Sequence, residues 1–239
     1  MQIFSQAFNI VLYQPLFNAL VLLYLYLPGR DFGLAVIVLT VLIRLILYPS
    51  MMGSLRSQKA LSQLQPKIQA LQQKYKDDKE KQTREMMALY QQEKINPFGG
   101  CLPLLIQLPI LIALYRVFWV GLNPDSMQHL YSFIPNPGTI NPSFLGLMDL
   151  SSPSLILAVL AGIVQFVQSK MMMPAMPKQQ AQDQMAQVSE MMQKQMLYFL
   201  PIFTVFILWK LPSALGLYWI VTGLFSVWQQ HLINKEKHA

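Results

Sequence analysis

Cysteine is nearly absent. Cys101 is the one example in 239 residues, which excludes a disulfide framework and any cysteine-based metal site. Charge is scarce too: charged residues make up 12% of the chain, against about 25% in soluble domains. The apolar segments lack the alternation of every second residue that outer-membrane barrel strands need, so a barrel is excluded. The N-terminus shows neither a basic region followed by a small-residue cleavage site nor a lipobox cysteine, and no cleavable signal is expected. Catalytic signals are missing as well. His129, His231 and His238 lie far from any intramembrane serine, and paired carboxylates, a phosphate-binding glycine loop and metal-ligand spacing do not occur. The expectation is a protein that is not an enzyme, with no catalytic residue, cofactor or metal.

What is abundant is apolar sequence. Hydrophobic residues reach 54% and the mean hydropathy is +0.36, which together predict an all-α integral membrane protein. Five runs read as spans: about 33–52, 101–122, 154–173, 196–210 and 213–233. Ahead of them, residues 1–28 form an N-terminal amphipathic segment, either an interfacial helix or an extra span, with Pro15 kinking it. The membrane core then covers 29–239. Within it, 53–95 is polar, and the spacing of Leu61, Leu64, Ile68, Leu71 and Tyr75 predicts a coiled-coil-like helical hairpin that turns at Asp77-Asp78. Residues 123–152 read as a loop, and 174–195 as a Met- and Gln-rich loop.

Lys and Arg set the orientation. The hairpin carries nine, so that fourteen lie on its side of the membrane against two, Arg30 and Lys210, on the other. The hairpin, the Met-rich loop and the C-terminus are therefore expected in the cytoplasm. The net charge of +7 follows this topology, with lipid headgroups or ribosomal RNA as further contacts.

Arg44 departs from the pattern. It stands inside the run GLAVIVLTVLIRLILYPSMM, and none of the eleven acidic residues falls within a predicted span. A charge at that depth costs roughly 2.5–3.5 kcal/mol unless water or a partner reaches it. Thr40, Arg44 and Tyr48 share one helical face, and other spans offer matching polar stripes: Gln107 with Tyr115, Gln165 with Gln168, and Tyr218, Thr222, Ser226 and Gln229. If these converge they line a hydrophilic groove; taken singly, each glutamine also reads as interhelical glue. Arg116, near the outer end of its span, reads as snorkelling to headgroups. Eight of fifteen methionines fall between Met171 and Met196, either as an adaptable apolar binding surface or as the ends of two spans.

Three segments carry a family resemblance: GLAVIVLTVLIRLILYPS, LQPKIQALQQKYKDDKEKQTREMMALYQQEKINPFGGCLPLLIQLPILIALY and LPIFTVFILWKLPSALGLYWIVTGL. In content, order and spacing they resemble the YidC/Oxa/Alb family of membrane protein insertases, in the bacterial short form without a large periplasmic domain. The resemblance implies a five-helix transmembrane core with a hydrophilic groove, a cytoplasmic hairpin needed for activity, and residence in the bacterial cytoplasmic (inner) membrane. The family's groove arginine corresponds to Arg44, its neighbouring threonine to Thr40, and the aromatic pair of its last span to Tyr218 and Trp219. The expected substrate groove is thus Arg44, Thr40, Tyr48, Gln107, Gln165, Tyr218, Trp219 and Thr222. Expected partners are nascent membrane proteins, the lipid bilayer, the Sec translocon, the signal recognition particle receptor and the ribosome. The lipoprotein signal and long basic tail of some members have no counterpart in the sequence. A client's helix is expected to leave along the fifth and first spans. The alternative from a different class is a small-anion transporter or channel with Arg44 as counter-charge; the absence of inverted repeats counts against it.

Overall fold

The computed structural model describes residues 2–76, 78–96, 99, 102–119, 121–172 and 184–235. Its elements are almost entirely helical. The chain opens with α1 (Gln2–Phe8), a π-turn over Asn9–Tyr13 and α2 (Gln14–Tyr26), which run on as one rod; Pro15 lies inside it, and the π-turn directly ahead of Pro15 is where the regular hydrogen-bond ladder is interrupted. Helix α3 (Phe32–Ile46) starts at Asp31, whose carboxylate accepts from the backbone N–H of Leu34 at 2.8 Å.

The first expected span does not continue to residue 52. Helix α3 ends at Ile46, and α4 (Tyr48–Lys74) leaves it at 67°. Pro49 is the cause, since its ring removes an N–H and crowds the carbonyl one turn back. Helix α4 then pairs with α5 (Lys79–Gln92) as the expected hairpin. Asp78 caps α5, Gln82 Nε2 donates to the Gln72 carbonyl at 3.0 Å, and Lys67 pairs with Glu93 across the two helices. Leu64 and Ile68 of the predicted seam are buried; Asp77 lies outside the described residues.

Helix α6 (Leu102–Trp119) carries Pro109 inside it, and α7 (Leu155–Met172) is continuous and apolar. Helix α8 (Gln184–Leu208) corrects the expected loop at 174–195: residues 184–195 are helical and continuous with the fourth apolar run, while 173–183 lie outside the described residues. Helix α9 (Ser213–Lys235) closes the core by packing on both α3 and α7. Gly223 leaves room for α7 against α9; a Cβ there would stand 2.5 Å from Cγ1 of Val164. By length and composition, Ser5–Tyr26, Leu155–Met172 and the bent α3–α4 pair can cross a membrane, and Leu105–Trp119 and Leu197–Leu208 are shorter apolar helices.

The segment expected to be a loop at 123–152 has internal structure. A short 3-10 turn over Pro124–His129 is followed by an antiparallel hairpin of β1 (Ser143–Phe144) and β2 (Met148–Asp149). This segment lies along the N-terminal rod. The Asn18 amide donates to the His129 carbonyl at 3.0 Å and accepts from the Tyr131 N–H at 2.7 Å, and the Tyr24 hydroxyl accepts from the Asn141 N–H at 3.1 Å. Further back, Arg116, near the C-terminal end of α6, donates to Asn9 Oδ1 at 2.7 Å and lies 4.7 Å from the Tyr13 ring centroid. Arg116 is therefore held by Phe8 of α1 and by the π-turn.

Candidate functional site

The polar residues gather where α3, α6 and α9 meet. On α3, Arg44 is 6% exposed and donates through Nη2 to Gln107 Oε1 on α6 at 3.2 Å. The other end of the same amide donates to the Tyr218 hydroxyl on α9, whose ring is buried. One glutamine thus links a cation to a phenol across three helices. Among the described residues no carboxylate forms an ion pair with Arg44; its charge is met by the oxygen of a neutral amide. A guanidinium has five donors, and one weakly placed amide oxygen satisfies a single one of them.

Helix α9 is the hub. Neighbouring side chains on a helix point about 100° apart, so Tyr218 faces α6 while Trp219 turns to α7, where its Nε1 donates to Gln165 Oε1 at 2.9 Å. Thr40 is buried and donates to its own helix, at the Val36 carbonyl 2.6 Å away, so it is satisfied without a partner helix. Tyr48 does not join Thr40 and Arg44: the bend at Pro49 carries it onto α4, where its ring lies 6.2 Å from Trp228. Tyr115 is also diverted, stacking on Trp119 at 5.8 Å.

Further along α9, the Thr222 hydroxyl and both ends of the Gln229 amide are buried without a protein hydrogen-bond partner among the described residues. Tyr218, Thr222 and Gln229 fall on one face of α9, in order from the Arg44 cluster toward its C-terminal end. Gln229, 1% exposed, belongs to the predicted column but not to the groove set expected from the sequence.

Beside this cluster lies an apolar cleft of about 260 Å³ between α6 and the α8–α9 pair, lined by Leu111, Ile112, Tyr115, Ile207, Leu211 and Trp219 among others. Whereas α3 and α9 pack directly on each other, α6 and α8 flank this gap. The apolar opening beside the polar cluster lies between α6 and α8, whereas α3 and α9, the helices expected to guide a client's exit, pack on each other. A second cavity of about 200 Å³ lies between α4, α7 and α9, lined in part by Lys59, Met171, Met172 and Gln230. Of the methionine cluster, Met191 is exposed on α8, and Met173 and Met176 lie outside the described residues.

Comparison with known proteins adds an independent line. Residues 23–239 match a family described as 60Kd inner membrane protein. A Clostridium tetani protein named membrane protein insertase YidC is 38% identical over 214 residues, covering 89% of this chain and 86% of that protein. Its Fusobacterium nucleatum counterpart is 35% identical over 206 residues, covering 86% and 87% respectively. A Geobacter sulfurreducens protein of the same name is 34% identical over 94% of this chain, which spans only 37% of that longer relative. These relatives are named for insertion, a non-covalent activity, and not for an enzymatic reaction.

Proposed function

Because this chain belongs to the YidC/Oxa family of inner membrane proteins, we propose that it inserts newly made membrane proteins by offering a polar intramembrane site beside an apolar lateral cleft. The observation that carries the reading is Arg44, a buried guanidinium met by a neutral amide rather than a carboxylate. A cation so placed has donors left for an acidic residue in a client's hydrophilic tail. The Gln107 amide is a weak competitor, and a client carboxylate displaces it.

Water reaches this site from the cytoplasm in our reading. Buried polar groups are ordinarily satisfied, by protein or by water. The unpartnered Thr222 hydroxyl and Gln229 amide mark such a path along α9. A wet path lowers the desolvation cost of a client's polar tail, which otherwise runs to several kcal/mol per group. The client's apolar helix meanwhile docks in the cleft between α6 and α8. Flanking it, the apolar lengths Leu105–Trp119 and Leu197–Leu208 extend about 22 and 18 Å at 1.5 Å per residue, less than the ~30 Å hydrocarbon core. The bilayer thins there, and the crossing shortens.

In this arrangement α3, α6, α7, the apolar half of α8, and α9 are the five spans. The N-terminal rod lies flat on the outer side. Its two ends, at Asn9 and Tyr24, both contact segments at the outer end of the bundle, although they are about 22 Å apart along the helix. The α4–α5 hairpin, with the nine basic residues of segment 53–95, stands in the cytoplasm, where it receives nascent clients and meets the ribosome, the signal recognition particle receptor or the Sec translocon.

The test is insertion of a single-span client with an acidic N-terminal tail into proteoliposomes of the pure protein. Arg44→Lys retains insertion and Arg44→Ala loses it. Wild-type insertion by a folded Arg44→Ala protein refutes the charged-site mechanism.

A further inference from the structure

The β1–β2 turn presents two leucines to the outside. Leu147 is 86% exposed and Leu145 is 57% exposed, on the tip of the hairpin within the 123–152 segment. Leu145 stands at φ +52°, with Gly146 following at +68°, and the Leu147 N–H closes the turn on the Phe144 carbonyl at 3.0 Å. Two successive left-handed residues define the tight hairpin turn that Asn, Asp or Gly normally opens. A leucine there works against backbone preference and gains no packing in return. Turn stability does not explain it.

The turn is also held at a definite height. Asp31, whose one carboxylate oxygen caps α3, accepts from the Leu145 N–H with the other. The Phe144 ring lies flush on the first turn of α3, where a Cβ on Gly33 would come within 2.1 Å of it. The tip is therefore bolted to the N-terminal end of an apolar helix, the end placed at the outer face in the arrangement proposed above. The surrounding sequence is free of formal charge: from Ser126 to Met148 there is no Lys, Arg, Asp or Glu. Phe133 in the same segment is 75% exposed, as is Tyr26 at the end of α2 with 76%.

We propose that the Leu145-Gly146-Leu147 tip is a membrane wedge that inserts into the acyl region of the outer phospholipid leaflet. Its occupant is lipid, because Leu145, Leu147 and Phe133 are exposed and apolar on a segment that carries no formally charged side chain from Ser126 to Met148, while the one carboxylate that bonds the tip backbone, Asp31, stays at the N-cap of α3. By pinning the start of α3, the wedge fixes the height at which that helix, and Arg44 on it, sits in the bilayer. The inference rests on the membrane placement proposed above, and the experiment separates the two.

The full chain with Cys101→Ser is labelled with an environment-sensitive fluorophore at Leu147→Cys and reconstituted in phosphatidylethanolamine–phosphatidylglycerol vesicles. Leu160→Cys, exposed on mid-α7, reports the span placement, and Glu80→Cys, exposed on α5, is the aqueous control. The label at 147 is expected to be blue-shifted, quenched by lipid spin-labelled near the headgroup end of its chains, and quenched several-fold less by iodide than the label at 80. Iodide quenching at 147 equal to that at 80, with 160 still lipid-quenched, overturns the wedge alone. Loss of lipid quenching at 160 overturns the membrane placement and the wedge with it. A blue shift at 147 that vanishes as protein is diluted into constant lipid identifies a second copy as the occupant, and also overturns it. Adding Leu145→Asn, which suits the left-handed position but removes the apolar side chain, reduces the shift at 147 while detergent stability holds or rises. An unchanged shift in that variant overturns the proposal.

Discussion

Replacing Gln107 by leucine removes two hydrogen bonds while nearly preserving side-chain volume. The amide accepts from Arg44 at 3.2 Å and donates to Tyr218, so the variant strips a partner from both. A hydrogen bond to a charged group contributes about 1.5–3 kcal/mol and a neutral one about 0.5–1.5 kcal/mol. If the cluster is dry, both losses are realised, and the protein is destabilised by about 2–4 kcal/mol. If water enters from the cytoplasm, along the path proposed past Thr222 and Gln229, solvent replaces the amide at little cost. The loss then falls below about 1 kcal/mol, near the net value of one exchanged bond. The insertion account requires the second outcome. It also requires that the variant keep or improve insertion of an acidic-tailed client, because the amide that competes for Arg44 is gone. Reversible unfolding in mixed micelles measures the first quantity and proteoliposome insertion the second. A loss of several kcal/mol together with abolished insertion refutes the reasoning, for the cluster is then structural glue.

Other perturbations test the frame around the site. Gly223→Leu drives a side chain into Val164 and forces α7 from α9; overpacking of this kind costs about 1–3 kcal/mol, read as a lowered unfolding temperature in detergent. Pro49→Ala restores the missing backbone donor and straightens the α3–α4 bend; spin-label distances between α5 and α9 are expected to lengthen and broaden, and an unchanged distribution shows that tertiary packing alone sets the bend. Arg116→Gln loses both the charged bond to Asn9 and the contact with the Tyr13 ring; amide exchange over residues 5–26 is expected to rise, with that of α7 unaffected. Asp149 accepts from the Ser151 hydroxyl at 2.6 Å and its N–H at 2.8 Å, which hold its carboxyl below the usual carboxylate range against a small opposing effect of burial. Because the folded loop favours the ionised form, this contribution is complete above the unfolded carboxylate pKa of about 3.9 and is lost as pH falls through the lowered folded value. Exchange at Leu150 to Ser152, corrected for intrinsic rate, is expected to rise on acidification, and Asp149→Asn to show the loosened level at every pH.

Much of this architecture is readable before any coordinates, because membrane helices need long apolar runs and polar residues stand out within them. The ends of α6, α7 and α9 fall within a few residues of the expected spans for that reason. Arg44, Gln107, Gln165, Tyr218 and Trp219 are conspicuous in the same way, and the structure brings them into two linked pairings through α9. Tyr48 misleads because a fixed four-residue spacing assumes an unbroken helix, and Pro49 breaks it. The start of α8 is hidden for another reason: residues 184–195 are rich in Gln and Met, and the stripe of Met185, Val188 and Met192 is too short and too weakly apolar to stand out. Asn18 could be noticed as a polar residue in an apolar helix, but its partners at His129 and Tyr131 lie more than a hundred residues away, and only folding joins them.

Charge reversal across the site and its client is the most direct trial. The account predicts that Arg44→Glu fails to insert a client whose tail carries aspartate, and regains insertion when that aspartate is replaced by lysine. If Arg44→Glu handles both clients alike, whether well or badly, the guanidinium does not engage the passing tail and the mechanism built on it is contradicted.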